Sequence, residues 1–155
     1  MFGIGRISKI PGTIASFVTC LFYFLCIIFN VNIIFLLITF FIILILSIIF
    51  INKYSSNFTE IDAKEIVIDE FLGQSIPILF MYYPIQKGDP ESAWIYLITV
   101  FILFRFFDIL KPFPINLIDK KMKNGLGVVL DDLLAGIYVL IIFALFGHFF
   151  GPPFE

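Results

Sequence analysis

The chain is poor in the residue types on which soluble proteins rely. Of its 155 residues only 14% are charged, one is histidine and two are cysteine, whereas 61% are hydrophobic. The mean hydropathy is +1.07. So little charge excludes an ordinary soluble domain, in which about a quarter of residues are charged, and points to a membrane. The formal net charge is −2 and there is no basic tract, which excludes a nucleic-acid surface. A lone His148 leaves no histidine pair for a phosphatase that uses a histidine nucleophile. Cys20 and Cys26 are separated by about 240° around a helix, which excludes a disulfide or a CxxC metal site. Neither begins the Cys-x5-Arg loop of a cysteine phosphatase. The stretch Met1 to Thr13 has Arg6 and Lys9 but no compact apolar run closed by a cleavage site, so the first hydrophobic run is expected to stay as a helix. No internal repeat is visible, and the expectation is a single domain over residues 1–155.

What is present is long apolar sequence. Ala15 to Phe29 and Val31 to Ile51 are almost pure Ile, Leu, Phe and Val around Asn30 and Asn32, and predict two helices joined by a tight turn. Lys53 to Glu65 is polar, and Thr59 to Asp62 offers a cap for a third helix from near Ile61 to about Tyr83. Pro84, Gly88 and Pro90 mark a loop before a fourth helix, about Glu91 to Ile109. A basic segment broken by Pro112, Pro114 and Gly125 precedes a fifth, about Val128 to Phe149. The fold expected is an all-α polytopic membrane bundle of about five hydrophobic helices. Arg6, Lys9, Lys53, Lys64, Lys111, Lys120, Lys121 and Lys123 fall on one side of this layout, against Lys87 on the other, so the N-terminus is expected to be cytoplasmic.

Ionisable groups inside apolar spans are costly, and default to a functional reading with a named partner. Here they are Asp69, Glu70, Arg105, Asp108, Asp131 and Asp132, all near the cytoplasmic boundary of the layout. Asp69 shares a helix face with Gly73, and Asp132 with Ala135 and Gly136, so the acid-bearing faces are also those suited to close helix contact. Five carboxylates in one pocket require cations. With no His or Cys among the donors, a hard ion such as Mg²⁺ is favoured, which outlines a phosphoryl-transfer site. A purely structural role, capping helices or pairing with Arg105 and nearby lysines, stays open for any one acid and is hard to extend to all five. Arg105 and Lys111 flank Asp108 at i−3 and i+3, so each either forms a local ion pair or binds phosphate. Lys9 and Thr13 border the Pro11–Gly12 turn, where free amides of a helix start could receive a phosphate; the bland alternative is an ordinary basic helix entrance.

Several blocks carry a family resemblance: GIGRISKIPGTIAS at Gly3 to Ser16, IVIDEFLGQ at Ile66 to Gln74, and FRFFDILKPFPI at Phe104 to Ile115 followed by GLGVVLDDLLAG at Gly125 to Gly136. In order and spacing they resemble the phosphatidylglycerophosphatase A family, bacterial membrane enzymes of phosphatidylglycerol synthesis. The resemblance implies Mg²⁺-dependent hydrolysis of phosphatidylglycerophosphate to phosphatidylglycerol and inorganic phosphate, at the cytoplasmic side of the bacterial cytoplasmic membrane. On this reading Asp69, Glu70, Asp108, Asp131 and Asp132 hold one or two Mg²⁺ ions, and Arg105, Lys111, Lys9 and Thr13 bind the substrate phosphate. A CDP-alcohol phosphatidyltransferase is disfavoured because its Asp-Gly-x2-Ala-Arg motif is missing. The remaining alternatives are an ion-coupled transporter, whose acids would sit near the midplane of repeated or interrupted helices, and a non-catalytic membrane partner.

Overall fold

A backbone in lipid must satisfy its own polar groups, and unbroken Ile, Leu and Phe runs do so here as helices. The computed structural model describes residues 11–54, 67–122 and 124–150. Among these lie helices α1 (Pro11–Ile28), α2 (Ile33–Tyr54), α3 (Ile68–Phe80), α4 (Tyr82–Lys87), α5 (Pro90–Leu110), α6 (Ile115–Lys121) and α7 (Gly125–Phe150), with no strand. Four of them, α1, α2, α5 and α7, are long and apolar enough to cross a membrane. Helices α3 and α4 together run alongside α1 inside the bundle, from Gly12 beside Glu70 to Val31 beside Tyr82.

Side chains at the helix ends account for several boundaries. Asn30, at φ 51°, closes α1 in a left-handed turn, with Val31 N–H on the Cys26 carbonyl and Asn30 N–H on that of Ile27. Asn32 then caps α2 by accepting from Ile34 N–H at 2.8 Å. The two asparagines thus make the tight turn their positions predict. Helix α1 already includes Pro11, before the expected Ala15. The expected start of the third helix near Ile61, with its Thr59 to Asp62 cap, lies outside the described residues. Its expected continuous run to Tyr83 is broken at Met81. Pro84 cannot donate to the Phe80 carbonyl four residues back, and its ring crowds that oxygen, so the helix ends there and restarts as α4. The segment after Lys111, expected as a basic segment broken by Pro112, Pro114 and Gly125, contains α6, whose Ile115 is fully buried while Lys120 and Lys121 stay exposed. Helix α7 starts at Gly125 and not Val128, because Asn124 caps it by accepting from Gly127 N–H at 2.8 Å.

At the centre is α3, packed against α1, α2, α5 and α7, with Leu72, Gln74, Ser75 and Ile78 fully buried. Its closest partner is α7. A Cβ on Gly73 would fall within 3.0 Å of the Asp132 carbonyl, and one on Gly136 would do the same to the Gly73 carbonyl. Pro77 provides one reason for this intimacy: lacking an N–H, it leaves the Gly73 oxygen without its usual helical donor, and the bare backbone of Gly136 lies against it. Tyr96 of α5 fastens the same turn from the other side, its hydroxyl donating to the Pro77 carbonyl at 2.8 Å. Helix α5 runs antiparallel to α1, joined by edge-to-face contacts of Phe17 with Phe101 and of Phe24 with Trp94. Cys20 and Cys26 are buried and unpaired, as expected.

Candidate active site

The starts of α1, α3 and α7 and the ends of α2 and α5 gather at one end of the bundle. Asp69 and Glu70 are in the first turn of α3, where the helix dipole favours negative charge. The Gly73 crossing sets Asp132, two turns into α7, opposite them. Carboxylate oxygens of Asp69, Glu70 and Asp132 lie within 4.8 Å of one another. Asp69 and Asp132 are only 6% and 4% exposed. Like charges this close and this buried repel unless a cation stands between them, and one oxygen of Glu70, Oε2, is buried without a hydrogen-bond partner. An all-oxygen donor set of this kind could hold a hard divalent cation.

The other acids are placed differently. Asp108 pairs with Arg105 Nη1 on the next turn of α5, the local ion pair that their spacing allowed. Arg105 Nε remains buried without a partner, and the guanidinium faces Gly12 at the start of α1, where a Cβ would come 3.0 Å from Nη1 and crowd Glu70. Lys111 does not pair with Asp108. It sits just past α5 in a left-handed conformation, at φ 42°, which turns its side chain toward α6 and α7. There its Nζ donates to Asp119 at 2.7 Å and to Asp131 at 2.8 Å. Burial disfavours the Lys111 ammonium, but the bonds to Asp119 and Asp131 outweigh it and hold its pKa above the usual lysine value. Asp131 also accepts from Asp132 N–H at 3.0 Å, so the cation that holds Asp131 acts next to Asp132. Asp108 and Asp131 remain close enough to act electrostatically on Asp132. Thr13 is half-buried in the first turn of α1, and Lys9 lies outside the described residues.

Against this geometry, the sequence model of phosphatidylglycerophosphatase A matches residues 1–147. The chain belongs to the phosphatidylglycerophosphatase A family. A phosphatidylglycerophosphatase A of Haemophilus influenzae is 39% identical over 146 residues, covering 93% of this chain and 83% of the relative. Another, from Escherichia coli, is 26% identical over 147 residues, 95% of this chain and 80% of the relative. A Bacteroides thetaiotaomicron protein, whose name marks it provisionally as a phosphatidylinositol-3-phosphatase, is 34% identical over 148 residues, with 93% and 87% covered. No solved structure matches. The resemblance seen in the motif blocks is therefore a family membership, and the expectation of a lipid phosphatase is met.

Three features of this phosphatidylglycerophosphatase A family member were not legible as site residues. Gly12 belongs to the Pro-Gly-Thr block, but only the fold shows that its missing side chain makes room for Glu70 and Arg105. Ser16, one turn further along the same face of α1, is fully buried with its hydroxyl unpartnered. Asp119 lies within a lysine-rich segment, where an acid reads as surface charge, yet it shares Lys111 with Asp131.

Proposed function

We propose that the chain hydrolyses phosphatidylglycerophosphate to phosphatidylglycerol and inorganic phosphate with Mg²⁺ bound by Asp69, Glu70 and Asp132, at the cytoplasmic face of a bacterial cytoplasmic membrane. The observation that carries this reading is the convergence of those three buried carboxylates beside a guanidinium with a spare donor. When bound, the ion would offset phosphate charge and make a nearby water more acidic. Arg105 presents Nε to the phosphate while Asp108 fixes its orientation through Nη1. Phosphoryl transfer depends mainly on positioning and electrostatics, so this arrangement requires no covalent nucleophile: water adds to phosphorus, the bond to the glycerol oxygen breaks, and that oxygen takes a proton. Lys111 is engaged by two carboxylates, and its part in this scheme is to hold Asp131 beside Asp132; the third hydrogen of its ammonium is left for a phosphate.

The orientation rests on charge: Lys53, Arg105, Lys111, Lys120 and Lys121 are at the carboxylate end, and Lys87 is at the other. A lipid whose acyl chains stay in the leaflet can bring its phosphorylated glycerol to acids at that boundary. Phosphate release by the purified chain in detergent, with and without Mg²⁺, tests the proposal, with phosphatidic acid and phosphatidylinositol 3-phosphate as competing substrates. The expected result is Mg²⁺-dependent release selective for phosphatidylglycerophosphate. Preferential release from phosphatidylinositol 3-phosphate would reassign the head group, and no release from any substrate would overturn the proposal.

A further inference from the structure

Helices α2 and α3 leave a hollow between them at the carboxylate end. It measures about 230 Å³ and is lined by Ile43, Leu46, Ser47, Phe50 and Ile51 of α2 and by Ile68 of α3. Ile68 immediately precedes Asp69, so the wall of the hollow leads directly into the carboxylate cluster. From Ile51 to Ile43 the α2 wall extends about 12 Å toward the middle of the bundle, at 1.5 Å per residue.

The chemistry of the lining is one-sided. Ser47 is the one small residue among these bulky side chains, and its size opens the floor. Its hydroxyl does not make that floor polar, because it donates to the Ile43 carbonyl of its own helix at 2.6 Å. Leu46 and Phe50 are exposed on the lipid-facing side and flank the opening, while Ser47 and Ile51 are buried beneath it. The described lining offers nothing to a head group or an ion, and contact with it gains only by removing apolar surface from a poorer environment.

We propose that this hollow seats an acyl chain of the diacyl glycerophospholipid whose head group reaches Asp69, Glu70 and Asp132. This rests on the phosphatase reading above. The occupant follows from position: the hollow is apolar along its described lining, opens sideways to lipid, starts at the residue beside the reacting end and runs toward the membrane interior, as an acyl chain does below its head group. Seating one chain sets the depth and direction from which the phosphate enters, so this contact distinguishes long-chain from short-chain substrates.

Filling the floor tests the assignment. Ser47→Leu is compared with wild type, and with Ile38→Ala on an exposed part of α2 outside the hollow, on long-chain and dihexanoyl forms of the phosphorylated lipid in mixed micelles. The wild-type preference in kcat/KM for the long chain is expected to fall about tenfold in Ser47→Leu, mostly through KM, and to persist in Ile38→Ala. An unchanged preference in Ser47→Leu would overturn the acyl site while leaving the phosphatase reading intact. Labelling by a glycerophospholipid with a diazirine in its acyl chain provides a readout independent of turnover. The expected result is saturable labelling of the peptides containing Ser47 and Ile68, reduced in Ser47→Leu. Labelling spread over the lipid faces of α1, α2 and α5, and not displaced by unlabelled lipid, would overturn the site. If wild type releases no phosphate from either substrate, the phosphatase reading fails and the labelling pattern alone decides the fate of the hollow.

Discussion

The two ends of the bundle are held together by different means. At the far end, polar groups satisfy one another locally: Asn30 and Asn32 close the α1–α2 turn, and Tyr82 and Gln86 both donate to the Val31 carbonyl, at 3.0 and 3.3 Å. The Lys87 ammonium lies 4.3 Å from the centre of the Tyr83 ring. At the carboxylate end, helices are pressed together at glycines and the polar groups are left in tension, with three acids facing one another and buried oxygens and the Arg105 Nε lacking partners. The far end is built for stability. The near end gathers like charges that a bound cation would offset, beside a guanidinium donor that an anionic substrate would engage.

The most severe way to break this contrast is to remove an acid from the cluster. Asp132→Asn, and separately Asp69→Asn, is expected to lower turnover by about 10³-fold or more, as measured by phosphate release with Mg²⁺ present. Because either substitution also removes a like charge, thermal unfolding in detergent with EDTA is expected at a higher temperature than for wild type. An acid that merely supported the fold would give the opposite: substantial activity and a lower midpoint.

Next in size is the helix crossing that assembles the cluster. Gly136→Ala puts a methyl group against the Gly73 carbonyl, where backbone, and not a flexible side chain, must yield. Such overpacking costs about 1–3 kcal/mol, and it displaces Asp132 from Asp69 and Glu70, so both the unfolding midpoint and kcat are expected to fall. Gly147, near the end of α7, has nothing within 4 Å of the corresponding position. Gly147→Ala is therefore expected to be neutral or slightly stabilising, with activity retained, since alanine is the better helix former. Equal effects at the two glycines would mean that the crossing has no special role.

Much of this was legible before any coordinates, and the reasons are physical. Charges within apolar runs stand out because lipid penalises them, so Asp69, Glu70, Arg105, Asp108, Asp131 and Asp132 could be selected as a set. Their division of labour could not be read in the same way. Asp131 and Asp132 are adjacent in the sequence, and about 100° of helical rotation sends one toward Lys111 and the other toward Asp69. That outcome depends on the rotation of α7 against α3, which is set by Gly73 and Gly136 together across the interface. Helical spacing places Lys111 and Asp108 on one face, but α5 ends at Leu110 and the left-handed conformation of Lys111 turns its side chain elsewhere. Helix α6 was missed for a related reason: two prolines suggest a loop, whereas Pro114 immediately precedes the helix and leaves its interior undisturbed.

The smallest expected effect sharpens the contrast from the far end. Asp89 precedes Pro90 at the start of α5 and accepts from Ser92 N–H at 2.8 Å and from the Ser92 hydroxyl at 2.7 Å. These bonds, the backbone one foremost, hold its carboxyl below the usual carboxylate range. A depressed folded-state pKa contributes stability that is fully present above the unfolded value, about 3.9, and is lost as pH falls through the folded value. Asp89→Ala is therefore expected to lower the unfolding midpoint modestly at pH 7, with the gap to wild type closing as the buffer is taken below pH of about 4. Because the cap lies at the opposite end from the carboxylates, kcat and the response to Mg²⁺ proposed above are expected to match wild type at pH 7. A change in either would show that strain at the start of α5 reaches Arg105 at its other end, and would break the separation between a stabilising end and a reactive one.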